Sequence, residues 1–543
     1  MKQLGETFHL HRCAVSENLR DSLHDLGGVV PHADDRVCAM IGGVLEQQFE
    51  SVFTSFLAEI GKNSDVAADD GLQRRAQISN HAARPDNNSP YDSEISDDAV
   101  PRQLSSRGNH AGIHSWHIMR SFEETFTAAI LAAETTLRED SFSATLESVE
   151  TLFYLLAFLQ ILMGAYLIWQ ALQWLAYVRR RLQTDPGFYA PKVALLCPCK
   201  GLEPGLERNL VSLTEFERQN YEIFFILASA TDPARSIIDR VAKSSRVKAH
   251  VVIAGPPNGC SEKVNNLRAA IEQLEPEFEV LVFTDSDGRP GKSWLHHLVA
   301  PLGDGTIGAT TTMRWFIPNR SNLPTALLAA WNAPIVTTLS EKGKNFCWGG
   351  GTAIRRSVFE QSGVLDEWKN SVSDDYSLTS VLERNNRSIV FLPECLTLSY
   401  VETEFEGLLE FTNRQILITR VYAEKVWAPA AATHLLYCLT LLLGTALILG
   451  DIFEQRPAFH LVTLTFLPLL LSAIRGSIRL IGVTEALPAG RSQITGQAWI
   501  YVLLMVFIPF LYVANFANSL ITRKIRWRGV TYELISPEQT RIA

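Results

Sequence analysis

The chain has 543 residues, of which 47% are hydrophobic, with a mean hydropathy of +0.05 and a formal net charge of -9. This length allows two or three domains, and the hydropathy predicts a soluble part combined with a membrane part. The acidic balance gives no support for a nucleic-acid partner.

The eight cysteines form no C-x-x-C motif, and Cys197 and Cys199 lie inside or just beyond an apolar strand. We therefore expect reduced structural thiols in a reducing compartment, and neither a disulfide framework nor a zinc site. The pattern implies no catalytic cysteine.

Residues 1–150 are predicted to be an N-terminal extension, largely disordered with short helices. The first 31 residues lack the apolar core of a signal peptide. Residues 44–60 have the spacing of one amphipathic helix, and residues 61–112 are too polar to bury a core, which predicts a disordered linker. Residues 118–150 regain helical spacing. No catalytic motif occurs in this extension.

Residues 151–181 are predicted to form a transmembrane helix with a basic stop. Residues 152–178 are uncharged, carry aromatic side chains at both ends and are followed by three arginines, Arg179 to Arg181. The positive-inside rule then places the following segment in the cytoplasm. A buried core helix is the alternative, but soluble helices seldom stay uncharged for this length.

Residues 190–402 alternate short apolar runs with helical stretches, which predicts an α/β domain with a mostly parallel sheet covered by helices. The predicted strands are residues 193–197, 223–228, 251–253, 280–283, 307–312 and 389–392.

Residues 403–432 are predicted to be amphipathic helices at the membrane surface, since basic and aromatic side chains are interleaved. Residues 433–522 contain the C-terminal membrane helices. Three apolar stretches occur there, at residues 434–449, 461–481 and 498–521, and the second contains Arg475 and Arg479.

The basic tail, residues 523–543, should also be cytoplasmic. An even number of crossings is then needed between residues 181 and 523, although three apolar stretches are present. We expect the arginine-containing stretch or one of its neighbours to lie in the interface or to re-enter.

Two acids, Asp285 and Asp287, follow the predicted buried strand 280–283. Ligands of open α/β sheets bind beyond the carboxyl ends of the strands, so this pair is placed to hold a divalent cation that grips a diphosphate. The same Asp-Ser-Asp-Gly sequence is also ordinary turn chemistry after a strand.

Residues 196–210, L-C-P-C-K-G-L-E-P-G-L-E-R-N-L, resemble the start of the catalytic domain in family-2-type glycosyltransferases. The resemblance is to the ceramide glucosyltransferase branch, including bacterial lipid and hopanoid-associated enzymes, and covers roughly residues 150–535. It implies a GT-A-like fold with transmembrane and interfacial helices. It continues through Thr231-Asp232-Pro233-Ala234, Lys263-Val264-Asn265-Asn266-Leu267, Asp285-Ser286-Asp287, Gly349-Gly350-Gly351, Asp374-Asp375-Tyr376 and Trp527-Arg528-Gly529.

The resemblance implies a set of nucleotide-sugar-binding residues. These are Pro198, Lys200, Gly201, Ser229, Asp232, Lys263, Asn266 and Asp285. At the position where the family usually has a uridine-contacting Asp, this chain has Ser229. Asp232 is then the nearest acid. Asp232 could instead cap a helix ahead of Pro233, and Ser261 could cap the helix that contains Lys263.

The resemblance makes Asp287 the ligand of Mn²⁺ or Mg²⁺, whose task is to neutralise the leaving diphosphate. Many relatives have Asp-Ser-Gly at this place. Asp285 would then lie closer to the ribose or hold the loop.

Asp374 and Asp375 open a predicted helix, where the helix dipole favours acids. Capping alone would need only one of them. The resemblance makes Asp375 the general base and Asp374 a companion near the donor.

Trp348, Gln415 and Arg420 are expected on the acceptor or phosphate side. Relatives carry Arg-Trp where this chain has Ile418 and Thr419. The absent Trp argues against a polysaccharide synthase. Either Arg420 or Arg414 could neutralise phosphate, and a basic membrane-surface face is the remaining alternative.

The sequence therefore predicts a membrane-bound, inverting glycosyltransferase. It would move a hexose, with glucose as the first choice, from a UDP-sugar to the hydroxyl of a lipid such as ceramide. Transfer of N-acetylhexosamine to a hopanoid or isoprenoid lipid is one alternative, and a non-catalytic membrane scaffold is another. We expect a multi-pass protein with a cytoplasmic catalytic domain, in a bacterial inner membrane or in the ER or Golgi.

Overall fold

The computed structural model describes residues 142–341 and 344–543. The predicted amphipathic helix of residues 44–60 and the predicted linker of residues 61–112 lie outside the described residues, as does most of the segment 118–150. Within the described part, one long helix precedes an α/β region, which is followed by further long helices and a small C-terminal sheet.

The strands form one large and two small sheets in the described part of the chain. In chain order they are β1 (Val193–Pro198), β2 (Tyr221–Leu227), β3 (Ala249–Ile253), β4 (Val280–Thr284), β5 (Gly288–Arg289), β6 (Ile307–Thr311), β7 (Arg314–Pro318), β8 (Gly351–Arg355), β9 (Ser388–Phe391), β10 (Thr397–Val401), β11 (Lys524–Trp527), β12 (Val530–Ser536) and β13 (Gln539–Ile542).

The large sheet has the strand order β3-β2-β1-β4-β8-β6-β9. The pairs among β3, β2, β1 and β4 are parallel, as is the pair of β6 with β9, whereas β8 runs antiparallel to β4 and β6. The predicted α/β class with a GT-A-like, mostly parallel sheet and covering helices is confirmed.

The α-helices differ greatly in length. In chain order they are α1 (Phe142–Gln183), α2 (Leu206–Ser212), α3 (Arg235–Ser244), α4 (Glu262–Ile271), α5 (Trp294–Val299), α6 (Leu323–Asn332), α7 (Arg356–Gln361), α8 (Val364–Glu367), α9 (Asp374–Arg384), α10 (Phe405–Tyr422), α11 (Glu424–Phe453), α12 (Phe459–Ala486), α13 (Arg491–Gly496), α14 (Ala498–Val502) and α15 (Ile508–Ile521).

The centre of the large sheet is buried on both faces. Alternate residues of β1 enter two different cores: Val193, Leu195 and Cys197 pack with α2, α3 and α5, whereas Ala194 and Leu196 pack with α4. This period of two is what a strand covered by helices on both sides requires. Because both faces of the strand are buried, its sequence is a continuous apolar run.

The register of the parallel strands brings their carboxyl ends to one edge. Leu196 of β1 lies beside Phe224 of β2 and Phe283 of β4. The segments that follow these three strands therefore meet at the same edge of the sheet, which is where the predicted donor-binding residues lie.

The two small sheets adjoin this edge. β5 begins at Gly288, directly after Asp287, and pairs with β10, which also pairs with β7. The C-terminal strands β11, β12 and β13 form an antiparallel sheet within the basic tail, which the sequence did not predict. Ile525 and Tyr532 of this sheet pack against Leu417 and Ile418 of α10.

Three helices in the described residues, α1, α11 and α12, are long and apolar enough to cross a membrane, and α14 with α15 forms a pair bent by 64° that could add a fourth span. The arginine-containing stretch 461–481, which we expected as a candidate for an interfacial segment, lies within the continuous helix α12. The broken segment is instead the last apolar stretch, residues 498–521.

Candidate active site

Lys263 joins three of the predicted site residues into one ion cluster. Its Nζ lies 2.9 Å from Asp285 Oδ1 and 3.1 Å from Asp374 Oδ2. The helix that carries Lys263 begins at the predicted cap, because Ser261 Oγ accepts a hydrogen bond from the backbone N of Val264 at 3.2 Å. Residues separated by more than 100 positions in the sequence are thus in direct contact.

The glycine run after Trp348 allows the backbone to approach this cluster. Lys263 Nζ donates to the carbonyl oxygen of Gly349 at 3.4 Å. A Cβ at Gly349 would lie 2.2 Å from Asp374 Oδ2, and one at Gly350 would lie 2.6 Å from Asp285 Oδ2. Both positions therefore need glycine for steric reasons.

Arg314 is a site residue that the sequence did not identify. Its Nη1 lies 2.8 Å from Asp287 Oδ2 and 3.8 Å from Asp285 Oδ2, and its guanidinium lies 4.8 Å from the centre of the Phe316 ring. The only signal in the sequence is one charge at the start of the apolar run 313–317. Its contact with the acids depends on the pairing of β7 with β10.

The two acids of the loop differ in their environment. Burial alone would raise the pKa of Asp285, but Lys263 and Arg314 outweigh it and hold that pKa below the usual value. Burial raises the pKa of Asp287 despite Arg314, and Asp285 adds to the rise. Asp285 is therefore neutralised by protein cations, whereas Asp287 has capacity for a further one.

Asp287 passes a simple test as a metal ligand. Its Oδ1 is buried and has no hydrogen-bond partner, while Oδ2 is occupied by Arg314. Within the described residues no group of three His, Cys, Asp or Glu side chains could hold a metal by itself. A cation at Oδ1 would thus need further oxygen ligands from phosphate or water, which suits Mn²⁺ or Mg²⁺.

Asp374 and Asp375 have separate environments at the start of α9. The helix cap is Ser373, whose Oγ accepts from the backbone N of Tyr376 at 3.1 Å, so neither acid is needed for capping. Burial raises the pKa of Asp374 to about 6, against the opposing effect of Lys263. Asp375 is less buried, and its Oδ1 accepts from Ser373 Oγ and from the Tyr376 backbone N.

The two loops after β1 and β2 are tied together by Asp232. Its Oδ1 accepts from the backbone N of Gly201 at 2.9 Å and from that of Ala234 at 2.8 Å. The N-cap residue of α3 is Ala234. Asp232 therefore closes a turn and is not the helix cap. Lys200 pairs with Glu262 at 2.8 Å.

The other residues predicted to bind the donor make few hydrogen bonds to the rest of the site. Ser229 is exposed and its Oγ lies 2.8 Å from Thr231 Oγ1, within its own turn. Asn266 is buried on α4, and its Oδ1 has no hydrogen-bond partner. Pro198 is the last residue of β1.

A family model described as glycosyl transferase family 21 matches residues 152–540. The chain belongs to this family. Membership implies that the protein transfers a sugar from a nucleotide sugar, and the ion cluster at the sheet edge lies within the matched range.

Two solved structures illustrate what this family 21 glycosyltransferase is similar to, and each covers less than half of the chain. Glucosyl-3-phosphoglycerate synthase from Mycobacterium tuberculosis, in complex with Mn²⁺, UDP-glucose and glycerol 3-phosphate, is 14% identical over 44% of this chain and 85% of its own, with a TM-score of 0.27. A 4-diphosphocytidyl-2C-methyl-D-erythritol synthase from Anaerococcus prevotii is 9% identical over 40% and 93%, with a TM-score of 0.26.

The predicted acceptor-side residues of the family 21 enzyme lie in different surroundings. Arg420 donates to the carbonyl oxygen of Ser519 on α15, and the ring of Trp348 lies 5.7 Å from the Arg314 guanidinium. Gln415 follows Arg414 on α10, and its carbonyl accepts from Thr419 at 2.8 Å.

Arg414 is the basic residue of α10 that interacts with the acid loop. Its guanidinium lies 5.2 Å from the ring centres of Phe411 and Trp527. Burial, together with Arg314, lowers the pKa of Arg414 to about 10, and Asp287 partly offsets this change. Between the two arginines that the sequence left open, this geometry favours Arg414 for phosphate neutralisation.

The C-terminal sheet also reaches the site. Arg528 forms an ion pair with Glu203 and donates to the carbonyl oxygen of Lys200 at 2.7 Å. Glu203 in turn accepts from Ser286 Oγ at 3.1 Å, between the two loop acids. A chain of contacts therefore connects the tail to the Asp-Ser-Asp segment.

Proposed function

We propose that this family 21 enzyme is a membrane-bound, inverting transferase that moves a hexose, glucose in the first place, from a UDP-sugar to the hydroxyl of a lipid such as ceramide. The observation that carries the proposal is the Lys263 cluster. It joins the Asp285-to-Asp287 loop to Asp374, and so brings the adjacent Asp375 to the same cleft.

The donor diphosphate is the natural ligand of the positive groups in this cleft. Lys263, Arg314 and Arg414 surround the acid loop, and guanidinium and ammonium groups bind phosphate through charge-assisted hydrogen bonds. The glycines at 349 and 350 let the backbone approach without a side chain. Departure of the diphosphate would be favoured by the same charges.

Asp287 is the proposed ligand of Mn²⁺ or Mg²⁺ through its buried, unpartnered Oδ1. When bound, the metal ion would neutralise charge on the leaving diphosphate. Asp285 is fully engaged by Lys263 and Arg314, so its role is to hold the loop and these two cations in place.

Asp375 is the proposed general base. Ser373 Oγ and the Tyr376 backbone N hold its Oδ1, and its Oδ2 makes no hydrogen bond within the described residues. The acceptor hydroxyl would give its proton to Asp375 while its oxygen attacks the anomeric carbon, and the bond from that carbon to the phosphate oxygen breaks. A single displacement of this kind inverts the configuration.

The lipid acceptor and the cytoplasmic location rest on the helices around the site. α10 lies between the catalytic domain and α15, with Thr412 Oγ1 accepting from Asn515 at 3.0 Å. Arg179 and Arg181 follow the apolar part of α1 and pair with Glu485 and Glu394. By the positive-inside rule this end faces the cytoplasm.

Replacement of Asp375 tests the mechanism. Asp375→Asn should retain UDP binding but lower the turnover of UDP-glucose with ceramide by roughly 10²–10⁴-fold, because a positioned base contributes that much. Asp239→Asn is the matched control, since Asp239 lies at the surface and pairs with Arg235. Near-normal turnover in Asp375→Asn would remove this residue from the mechanism.

Mass spectrometry of lipid extracts tests the substrate class. Cells that express the wild-type protein should contain a new hexosyl lipid, and cells that express Asp375→Asn should not. A new N-acetylhexosaminyl hopanoid or isoprenoid lipid would replace the proposed donor and acceptor. The absence of any new glycolipid, together with absent transfer by the purified protein with Mn²⁺, would favour a scaffold.

A further inference from the structure

Two arginines lie on one face of α12, a helix long and apolar enough to cross a membrane. Arg475 and Arg479 are four residues apart, the spacing of neighbours on a helix surface. Arg479 is only 1% exposed, and the Nε atoms of both arginines are buried without a hydrogen-bond partner. Buried cations in such a segment normally mark a binding site or an ion pair.

No acidic side chain compensates these charges in the described part of the chain. α12 contains no Asp or Glu before Glu485, and none occurs in residues 486–532. Among the residues that the structure describes, the only hydrogen-bond partner of Arg479 is Met505, whose Sδ lies 3.9 Å from Nη1, and sulfur is a weak acceptor. By contrast, Arg179 at the end of the same helix bundle pairs with Glu485 at 2.9 Å.

The arginines lie within the apolar helix α12, away from its ends. The Arg179 to Glu485 ion pair marks the end of α12 on the side of the catalytic domain. Arg479 and Arg475 precede Glu485 by six and ten residues, which corresponds to about 9 and 15 Å along the helix axis. Both therefore lie in the half of α12 that is closer to the catalytic domain.

The surroundings of the arginines lead toward the proposed base. Arg479 contacts Met505, in the segment between α14 and α15. On α15, the hydroxyl of Tyr512 donates to the carbonyl oxygen of Trp331 at 2.9 Å. On the same helix, Asn515 donates to Thr412 Oγ1 of α10 at 3.0 Å. α10 in turn contacts Tyr376, the neighbour of Asp375, because Thr419 Oγ1 lies 2.7 Å from the Tyr376 hydroxyl. The pair thus lies on the membrane side of the cleft.

We propose that Arg475 and Arg479 bind the phosphate group of a membrane lipid. Two guanidinium groups match the oxygens of a phosphate in geometry and charge. A lipid is the source that the surroundings favour over a soluble anion, because Leu470, Ile474 and Ile481 present exposed apolar side chains on the same helix. The site rests on the proposed membrane insertion and adds a ligand that sugar transfer does not itself require.

A comparison of two lipids that share their acyl chains, of which only one has a phosphate group, tests whether the phosphate is recognised. Native mass spectrometry of the delipidated, full-length protein in detergent would compare dioleoylphosphatidic acid with dioleoylglycerol, which lacks the phosphate. The wild type should bind the phosphatidic acid at least about tenfold more tightly, as expected for charge-assisted contacts to one group. Equal affinities for the two lipids would overturn the proposal.

Variants locate the binding to the arginine pair. Arg475→Gln and Arg479→Gln should each remove most of the preference for phosphatidic acid, and Arg479→Lys should retain part of it. Arg491→Gln is the control, because Arg491 is exposed at the start of α13 and its loss changes the net charge equally. A preference that survives in the double Arg475→Gln and Arg479→Gln variant would place the site elsewhere.

Thermal unfolding separates a ligand site from a structural role. Without lipid, Arg479→Met should melt at the same or a higher temperature than the wild type, since it removes an uncompensated buried charge. The wild type alone should then gain stability from phosphatidic acid. A lower melting temperature of lipid-free Arg479→Met would indicate a structural arginine, and an equal gain from inorganic phosphate would replace the lipid with a soluble anion.

These measurements require no sugar transfer. Normal turnover in Asp375→Asn would contradict the proposed mechanism and leave lipid binding untouched. A wild type that shows no preference for phosphatidic acid over dioleoylglycerol would contradict the arginine site and leave the proposed mechanism untouched.

Discussion

Arg314 fixes a positive charge beside both acids of the Asp-Ser-Asp loop, so its removal should lower stability and donor binding. Its Nη1 lies 2.8 Å from Asp287 Oδ2 and 3.8 Å from Asp285 Oδ2. In Arg314→Gln the two carboxylates lose a shared cation, which should reduce the free energy of unfolding by about 1–3 kcal/mol. Mn²⁺ should raise the melting temperature more in the variant than in the wild type, because Asp287 Oδ2 becomes free for a cation.

Thermal unfolding in detergent with and without Mn²⁺ measures both effects, and the KM for UDP-glucose measures the loss of donor binding. Arg320→Gln is the matched control, because Arg320 pairs with Glu404 at the surface. Equal melting temperatures for the two variants would contradict the role given to Arg314.

Asp374 should make the stability of the cleft depend on pH. Burial raises its pKa to about 6, with Lys263 opposing the rise, whereas an Asp in the unfolded chain has a pKa of about 3.9. The folded protein therefore binds this proton more tightly. The stability that the proton supplies is complete below about pH 4 and is lost as the pH rises to about 6.

The Asp374→Asn variant isolates this effect, because Asn does not titrate. The melting temperature of the wild type minus that of the variant should decrease between about pH 4 and pH 6 and stay constant above that range. Asp239→Asn, at the surface, should show no such trend. A difference that increases with pH would mean that the ion pair with Lys263 outweighs burial.

At the scale of single residues, the sequence identified the charged groups of the candidate site but not all of their partners. Lys263, Asp285 and Asp374 stand in three separate motifs, and they meet because the strands place those motifs at one edge. Arg314 was missed because a lone charge at a strand start carries no local signal. Arg420 was expected on the acceptor or phosphate side, and its contact with Ser519 depends on how α10 packs against α15.

At the scale of elements, packing on α10 accounts for the absent Arg-Trp pair. Ile418 is 6% exposed and packs against the C-terminal sheet, and Thr419 Oγ1 lies 2.7 Å from the hydroxyl of Tyr376. An aromatic ring is nevertheless present nearby, because Trp527 of the tail stacks on Arg414 at 5.2 Å. The tail thus places an aromatic ring beside α10, at a position distant in the sequence.

The contact of the C-terminal sheet with Glu203 should affect donor binding. Arg528 neutralises Glu203, which is 16% exposed and accepts from Ser286 Oγ beside the loop acids. Arg528→Ala would leave a carboxylate without its cation next to the proposed diphosphate site, so we expect the KM for UDP-glucose to rise by roughly tenfold or more with a smaller change in kcat. Steady-state kinetics of the purified protein measures both constants.

Removal of the carboxylate provides the second half of this test. Glu203→Gln combined with Arg528→Ala should regain part of the donor affinity, because no unpaired charge is left. Arg526→Ala is the control on the same strand, since Arg526 is exposed and lies 3.7 Å from Glu406. An unchanged KM in Arg528→Ala would limit the tail to a structural role.

At the scale of the whole molecule, the local apolar patterns were sufficient for the class of fold. Each of the six predicted strands overlaps a strand of the large sheet, because runs buried on both faces are recognisable without knowledge of their partners. β8 was not predicted, since it begins at Gly351 in a glycine run and pairs antiparallel between β4 and β6. The tail sheet was hidden by its basic composition.

Contacts with the catalytic domain indicate on which side of the membrane each segment lies, and so predict the number of crossings. The start of the bent pair contacts the catalytic domain, where Gln497 donates to the carbonyl oxygen of Pro318 at 3.0 Å. Its end contacts α10, where the carbonyl oxygen of Ser519 accepts from Arg420. The tail then returns to the catalytic domain, where Tyr532 accepts from the Glu262 backbone N. We therefore predict that the bent pair enters and leaves the membrane on one side, so that α11 and α12 supply the even number of crossings.

Cysteine labelling tests this topology. Exposed cysteines would be introduced as Gln455→Cys, Ser492→Cys and Gln539→Cys in a background lacking Cys13 and Cys38, since the six native cysteines in the described residues are buried. With a maleimide that cannot cross membranes, intact cells should label residue 455 alone. Residues 492 and 539 should react together only after permeabilisation, because a re-entrant pair leaves them on one side. Labelling of residue 539 from outside, with residue 492 protected, would make the bent pair a full span and separate the tail from the cleft it contacts.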